Sequence, residues 1–180
     1  METPGSNSSF AAATLEHIDA LFGYAMTLTR DKTDAEDLVQ ETYLRAVRAA
    51  NQPAPEENLK AWLFVVMRNA WLNILRHNHH GARIFEFDDE NAASPASETT
   101  NPHVVYLRKL EREQVREAID KLPGVYREIV VLRDIEGFSY QEIATVLNCP
   151  AGTVMSRLGR ARGKLRDALS ARQKVHRIYG

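Results

Sequence analysis

The sequence predicts an all-α protein of two small helical domains joined by a flexible acidic linker, and three observations support this. Apolar residues recur at helical spacing through most of the 180 residues, with no convincing alternation of a β-strand. Residues 86–102 carry five acidic residues and no basic one, and they are rich in Ser, Thr, Asn, Ala and Pro, so they cannot bury much apolar surface. Residues 138–165 combine a helix start, a tight turn and a second, basic helix, which indicates a helix-turn-helix.

The apolar periodicity places the helices in order along the chain. Their expected ranges are 11–30, 33–49, 57–79, 103–121, 123–136, 139–147 and 150–171. These helices divide the chain into a disordered N-terminus, a first domain, the linker, a helix-turn-helix domain and a C-terminal tail. The corresponding ranges are 1–10, 11–85, 86–102, 103–172 and 173–180.

The composition is that of a globular protein and limits its class. Hydrophobic residues make up 44% of the chain and charged residues 26%. No apolar run is long enough to span a bilayer, and the N-terminus lacks the pattern of a signal peptide, so the expected location is cytoplasmic. The single Cys149 allows no internal disulfide and fits that compartment. The net charge of −1 hides an asymmetry, because residues 151–180 hold eight basic residues and one acidic residue, as expected of a phosphate-binding surface.

Helix 33–49 is expected to have a buried side and an acidic side. Thr33 and Glu36 fit a capping box at its start. The buried side consists of Ala35, Leu38, Val39, Thr42, Tyr43 and Ala46. The opposite side carries, at i, i+3, i+4 and i+7, Asp37, Gln40, Glu41 and Leu44. An acidic face with an exposed leucine suits docking to another protein, although spacing alone favours a solvated face without a partner.

Helix 57–79 begins apolar on all sides and then separates its polar residues. Trp62 and Trp71 are expected in the core. The polar face consists of Asn69, Asn73, Arg76 and His80, with His77 beside it. Aromatic, amide and basic groups together suit unpaired bases, and an outer polar face without a ligand is an equal alternative.

The sequence favours neither a metal site nor an active site. His77, His79 and His80 are neighbours, but no cysteine or suitably spaced carboxylate set accompanies them. The chain has no nucleophile elbow, phosphate loop or paired-carboxylate pattern, so it predicts no enzyme and no cofactor.

The helix-turn-helix is predicted from its caps and its two segregated faces. Ser139 and Glu142 fit a capping box, Gly137 suits the end of the preceding helix, and Asn148 to Pro150 form the turn. The apolar stripe of the second helix is Val154, Leu158, Ala161 and Leu165. Its polar face is Thr153, Ser156, Arg157, Arg160 and Lys164. Hydroxyl and guanidinium groups suit base edges and phosphates in a major groove, and an ordinary amphipathic surface helix is the alternative.

Three motifs together resemble bacterial sigma factors of the extracytoplasmic-function group, over about residues 13–85 and 105–170. Residues 34–46, DAEDLVQETYLRA, resemble the helix that grips the polymerase clamp. Residues 61–73, AWLFVVMRNAWLN, resemble the segment that melts and reads the minus-ten element. Residues 122–133, LPGVYREIVVLR, followed by the helix-turn-helix, resemble the region that reads the minus-thirty-five element.

The resemblance implies a promoter-specificity subunit whose partners are core RNA polymerase, promoter DNA and an anti-sigma factor. The polymerase-binding residues it implies are Asp34, Asp37, Gln40, Glu41 and Leu44. The minus-ten residues are Arg68, Asn69, Asn73, Arg76 and His77, near the loop 51–58. The minus-thirty-five residues are Thr153, Ser156, Arg157, Arg160 and Lys164. The sequence departs from the family at Met155, where many members have Lys or Arg, and at Gly159, where many have a larger side chain.

Two other functional classes remain open on the residues. A free-standing helix-turn-helix regulator would use the same recognition helix, but it would not need the acidic face of helix 33–49 and would usually dimerise on a palindrome. A pure interaction protein that titrates a partner would have no reason to carry Arg157 and Arg160 on one face.

Overall fold

The computed structural model describes the backbone of residues 12–49, 58–78 and 104–179, and the side chains of 12–49, 58–77 and 112–170. The described residues are helical and contain no strand, which confirms the all-α prediction. The predicted disordered N-terminus, the linker 86–102 and residues 51–57 of the loop lie outside the described residues. In the described part, no helix combines the length and apolar character needed to cross a membrane.

Three helices form the first domain. A helical turn at 12–15 precedes α1 (Ile18–Thr29), which is followed by α2 (Lys32–Ala49) and α3 (Leu59–Asn78). The single helix predicted from residue 11 is interrupted before α1, where the His17 amide donates to the Thr14 carbonyl at 3.2 Å. The chain leaves α1 through Arg30 in the left-handed region, at φ 61°.

The second domain contains α4 (Val104–Asp120), α5 (Gly124–Val130), α6 (Tyr140–Leu147) and α7 (Ala151–Tyr179). The helix predicted at 123–136 is present, but its last turn, Val131–Ile135, is π-helical. The last helix continues to Tyr179, beyond the end predicted at 171. Residues 173–179 of the predicted C-terminal tail are therefore helical.

The helix caps confirm one sequence prediction and correct another. Ser139 and Glu142 form the predicted capping box at the start of α6. The capping box predicted at Thr33 and Glu36 is wrong, because α2 begins one residue earlier. Asp31 caps it instead, with Oδ1 accepting from the Asp34 amide at 3.0 Å.

The two domains share one hydrophobic core. The Tyr24 and Phe64 rings stack with centroids 4.7 Å apart, and the edge of Phe138 from the second domain meets Phe64 at 4.9 Å. All three side chains are buried. Four of the six core residues predicted for α2 are buried, Ala35, Leu38, Thr42 and Ala46, whereas Val39 and Tyr43 are half-buried. The sequence predicted two domains on a linker, and the structure adds direct packing between them.

Candidate nucleic-acid interface

The helix-turn-helix is built from α6 and α7. Asn148 adopts the left-handed conformation at φ 48°, and the Cys149 amide donates to the Ala144 carbonyl at 3.0 Å, which closes the end of α6. The first amides of α7 bond to the Pro150 carbonyl, from Thr153 at 2.9 Å and Val154 at 3.2 Å. These local bonds fix the angle at which α7 leaves the turn.

Burial of one side of α7 determines which side faces outward. Val154, Leu158 and Ala161 are at most 2% exposed and anchor the helix. Of the five residues predicted for the polar face, Ser156, Arg160 and Lys164 are exposed, and Thr153 and Arg157 are half-buried. The Ser156 hydroxyl donates to the Thr153 carbonyl at 3.1 Å, so it is held close to the helix.

The exposed surface of α7 extends to residues outside the predicted set. Met155 is 54% exposed, and Gly159 is exposed between Ser156 and Arg160. A Cβ at Gly159 would meet no heavy atom within 4 Å, so the backbone there is open to a close approach. Helical spacing already places Met155 and Gly159 beside Ser156 and Arg160. The predicted polar face omitted them because Met155 is apolar and Gly159 has no side chain.

The predicted minus-ten residues of α3 do not lie on one surface. Asn69, Arg76 and His77 are exposed, and Arg76 Nη1 donates to Asn73 Oδ1 at 2.9 Å. The Arg68 side chain is only 13% exposed and turns toward the second domain. In this arrangement Arg68 is not available to DNA.

The tryptophans of α3 both pack against the core, as predicted. Trp62 and Trp71 are half-buried beside the apolar cluster. The Trp71 indole Nε1 is buried and has no hydrogen-bond partner within the described structure.

The acidic face of α2 points outward. Asp34, Asp37 and Gln40 are exposed, and the apolar side chain of Leu44 is 48% exposed beside them. Glu41 is half-exposed and accepts from Arg45 Nε at 2.6 Å, one helical turn along. The five residues thus form a continuous polar surface around an apolar side chain.

Among the described side chains, no group of three His, Cys, Asp or Glu residues is arranged to hold a metal ion. His79 and His80 lie outside the residues whose side chains are described.

Comparison with known proteins gives two matching family models. They are sigma-70 region 2, over residues 15–80, and sigma-70, region 4, over residues 112–165. The chain is 36% identical over 151 residues to the ECF RNA polymerase sigma factor EcfG of Rhodopseudomonas palustris, covering 84% of this chain and 80% of that relative. It is also 36% identical over 155 residues to the ECF RNA polymerase sigma factor SigE of Mycolicibacterium smegmatis, covering 86% of this chain but only 59% of SigE.

A solved structure resembles the chain over most of its length. It is the complex of the sigma factor RpoE with the anti-sigma factor NepR from Bartonella quintana. The sigma factor in it aligns with a TM-score of 0.67 and 29% sequence identity, over 90% of this chain and 97% of that one.

Proposed function

This chain belongs to the extracytoplasmic-function sigma factors of bacterial RNA polymerase, and we propose that three of its helices have separate binding roles. It is a promoter-specificity subunit that binds core RNA polymerase and promoter DNA and directs transcription initiation. In our proposal α2 docks on core polymerase, α3 reads the minus-ten element and α7 reads the minus-thirty-five element. The polymerase supplies the chemistry, and this chain selects the start site in the cytoplasm.

The observation that supports this division most directly is the surface of α2. Asp37, Gln40 and Leu44 are exposed together on the side of α2 opposite the buried Leu38. A regulator that binds DNA by itself has no need for such a docking surface, so its presence favours the polymerase-bound function over the free-standing regulator.

The DNA-binding roles are supported by exposure and charge. On α7, Ser156 and Arg160 are exposed on a helix whose opposite side is buried in the helix-turn-helix, the geometry in which a recognition helix enters a major groove. On α3, Asn69, Asn73 and Arg76 offer amide and guanidinium groups that suit the edges of unpaired bases.

An anti-sigma factor belongs to the proposal as a third partner. The RpoE structure is a complex with the anti-sigma factor NepR, and it aligns with nearly the whole of this chain. We infer a protein of the same role that covers the polymerase-binding or DNA-binding surfaces. Purification of the tagged chain from native cells should then recover this protein in addition to core polymerase, and recovery of polymerase alone under all growth conditions would count against it.

Run-off transcription with core polymerase, with and without the chain, tests the function. Promoter-dependent transcripts that require both components support it. Unchanged transcription on adding the chain, with repression or activation only when a complete holoenzyme is present, would favour the free-standing regulator.

A further inference from the structure

The outward surface of α7 has an apolar side chain among its polar ones. Met155 is 54% exposed, and among the described side chains of α7 it is the one large hydrophobic residue that is exposed. Ser156 is about 200° around the helix from the buried Leu158, so it marks the outward direction. Met155 lies about 100° and Gly159 about 60° to one side of this direction, and Arg160 lies about 40° to the other. The outward surface therefore has a cationic side and a side whose one large group is a thioether.

The position of Met155 along α7 suits contact with bases. α7 begins at Ala151, so Met155 is its fifth residue. In a helix-turn-helix, the N-terminal residues of the recognition helix are the ones that contact base edges in the major groove. A thioether has no N–H or O–H group and no charge, so it cannot donate a hydrogen bond to a phosphate or to a base. The apolar group that the major groove offers is the C5-methyl group of thymine, which apolar side chains contact.

The glycine one helical turn further along leaves space beside Met155. Gly159 lies in the interior of α7 and is exposed, where glycine destabilises a helix relative to alanine. A Cβ at this position would meet no heavy atom within 4 Å, so packing within the described structure does not require glycine. A helical side chain lies over the turn N-terminal to its own Cα, so a larger residue at 159 would lie against Met155. Glycine thus leaves the thioether accessible and lets this side of the helix approach a base closely.

We propose that Met155 is a specificity-determining residue that selects thymine at one position of the minus-thirty-five element by packing against its C5-methyl group. This role of Met155 rests on the proposed function of α7. The methionine side chain is unbranched and polarizable, so it adapts to the place where the methyl group lies. Apolar contact on one side of Ser156 then adds to hydrogen bonding by Arg160 on the other side.

The test removes the methyl group from the DNA and the thioether from the protein. A library of minus-thirty-five sequences, transcribed by core polymerase with the full-length chain, first identifies the preferred element and its thymines on both strands. Duplex promoters are then made in which deoxyuridine replaces one thymine at a time. Deoxyuridine pairs with adenine as thymine does and lacks only the C5-methyl group. Binding of each duplex by core polymerase with the chain is measured at one fixed salt concentration.

Two substitutions at Met155 separate apolar contact from side-chain bulk. Met155→Leu keeps an apolar side chain of similar volume, and Met155→Gln keeps the length but adds an amide. Ile135→Ala is the matched control, because it removes a side chain of the second domain that is 61% exposed and lies outside α7. All three substitutions are at exposed positions, so the free energy of unfolding should change little.

We expect deoxyuridine at one position to weaken binding by wild type roughly three- to fivefold, the effect of one buried methyl group. Ile135→Ala should show the same loss at the same position. Met155→Gln should bind the thymine and deoxyuridine duplexes alike, and in the library it should lose the preference for thymine at that position only. Met155→Leu should retain most of the discrimination.

Three results would overturn this role of Met155. They are the absence of any thymine whose methyl group affects binding by wild type, a methyl effect that persists in Met155→Gln, or uniform weakening of all sequences by Met155→Gln. The last result would indicate contact with the DNA backbone instead of a base. Wild type alone decides the proposed function: promoter-dependent transcription with a sequence preference in the library supports it whatever the deoxyuridine duplexes show. If wild type has no preference anywhere in the element, the role of α7 is refuted, and that of Met155 with it.

Discussion

At the scale of single residues, Glu142 links the local structure of α6 to the packing of the domains. One carboxylate oxygen accepts from the Ser139 amide at 2.6 Å and the other accepts from Asn58 of the first domain. Hydrogen bonding to the Ser139 side chain first, to Asn58 second and to the Ser139 amide third holds the pKa of Glu142 below its ordinary value of 4.5. The ionised form is therefore the one that the folded chain favours.

The sign of this shift sets a pH dependence that Ser139→Ala should reveal. At pH 7 the loss of the cap should lower the free energy of unfolding by about 1 kcal/mol. Because the pKa of Glu142 is lower in the folded chain than in the unfolded chain, its ionised form stabilises the fold fully above the unfolded pKa. This stabilisation is lost as the pH falls through the folded pKa. The difference in unfolding free energy between wild type and Ser139→Ala should therefore shrink below about pH 4.5. Urea unfolding at pH 7 and pH 3.5 measures it. Gln141→Ala, at an exposed neighbouring position, is the control; a pH-independent difference for Ser139→Ala would show that Glu142 is not coupled to the cap.

Arg68 and Asn69 show why a site residue is hard to assign from sequence alone. They are adjacent in the chain and both polar, but a step of one residue turns the side chain by about 100° on a helix. Asn69 therefore faces outward while Arg68 reaches Glu128, 60 residues away in sequence. The resemblance to a family motif covers both residues and does not separate their environments.

At the scale of elements, α2 illustrates what local sequence does predict. Its buried and exposed sides follow from a period of 3.6 residues, and Leu38 and Ala46 are buried while Asp37 and Leu44 are exposed, as expected. The sequence predicted the wrong start for α2 because Asp31 and Thr33, two positions apart, are both suitable N-cap residues. At the start of α6, Ser139 is followed by Glu142 at the spacing of a capping box, and that predicted capping box is confirmed.

The acidic face of α2 makes a direct prediction about polymerase binding. Asp37→Ala with Glu41→Ala should weaken binding of core polymerase at least several-fold and leave the fold intact, because neither side chain is part of the core. Glu16→Ala with Asp19→Ala removes the same charge from exposed positions near α1 and should bind like wild type. Pull-down at a series of polymerase concentrations measures both. Equal affinity for the two double variants would remove the proposed role of this face.

The recognition helix permits a comparison between arginines on one element. Arg160 is exposed on the outward side of α7, whereas Arg162 is engaged by Asp134 at 2.5 Å. Arg160→Ala should cost about 1–3 kcal/mol of promoter recognition if it reads a guanine, and Arg162→Ala should have little effect. Transcription from a library of minus-thirty-five sequences distinguishes base reading, which relaxes one position, from phosphate contact, which weakens all sequences alike. Equal activity of the two variants would show that the outward face is wrongly assigned.

At the scale of the whole molecule, the direct packing of the two domains is the feature that sequence reasoning missed. Tyr24 and Glu128 are 104 residues apart, and nothing in the local pattern of either helix indicates that they meet. The acidic composition of residues 86–102 indicates a linker between two helical regions. Composition carries no information on whether the connected domains contact each other. Predicting this packing would have required knowledge of which polar residues of α3 are paired, and the sequence alone offers several candidates.

The single recognition helix and the polar face of α3 together predict how the free chain binds promoter DNA. By itself the chain should bind weakly and with little sequence preference, because one recognition helix makes few contacts and duplex DNA hides the bases that α3 would read. The basic residues of 151–180 still attract phosphate, so this weak binding should fall steeply as salt rises. With core polymerase both domains should engage DNA on one scaffold, and the two modest affinities then combine through effective concentration. Footprinting of promoter DNA with the chain alone and with core polymerase, at physiological salt, measures both states. A sharp, high-affinity footprint from the chain alone would contradict polymerase-dependent reading of the promoter and favour a regulator that acts without polymerase.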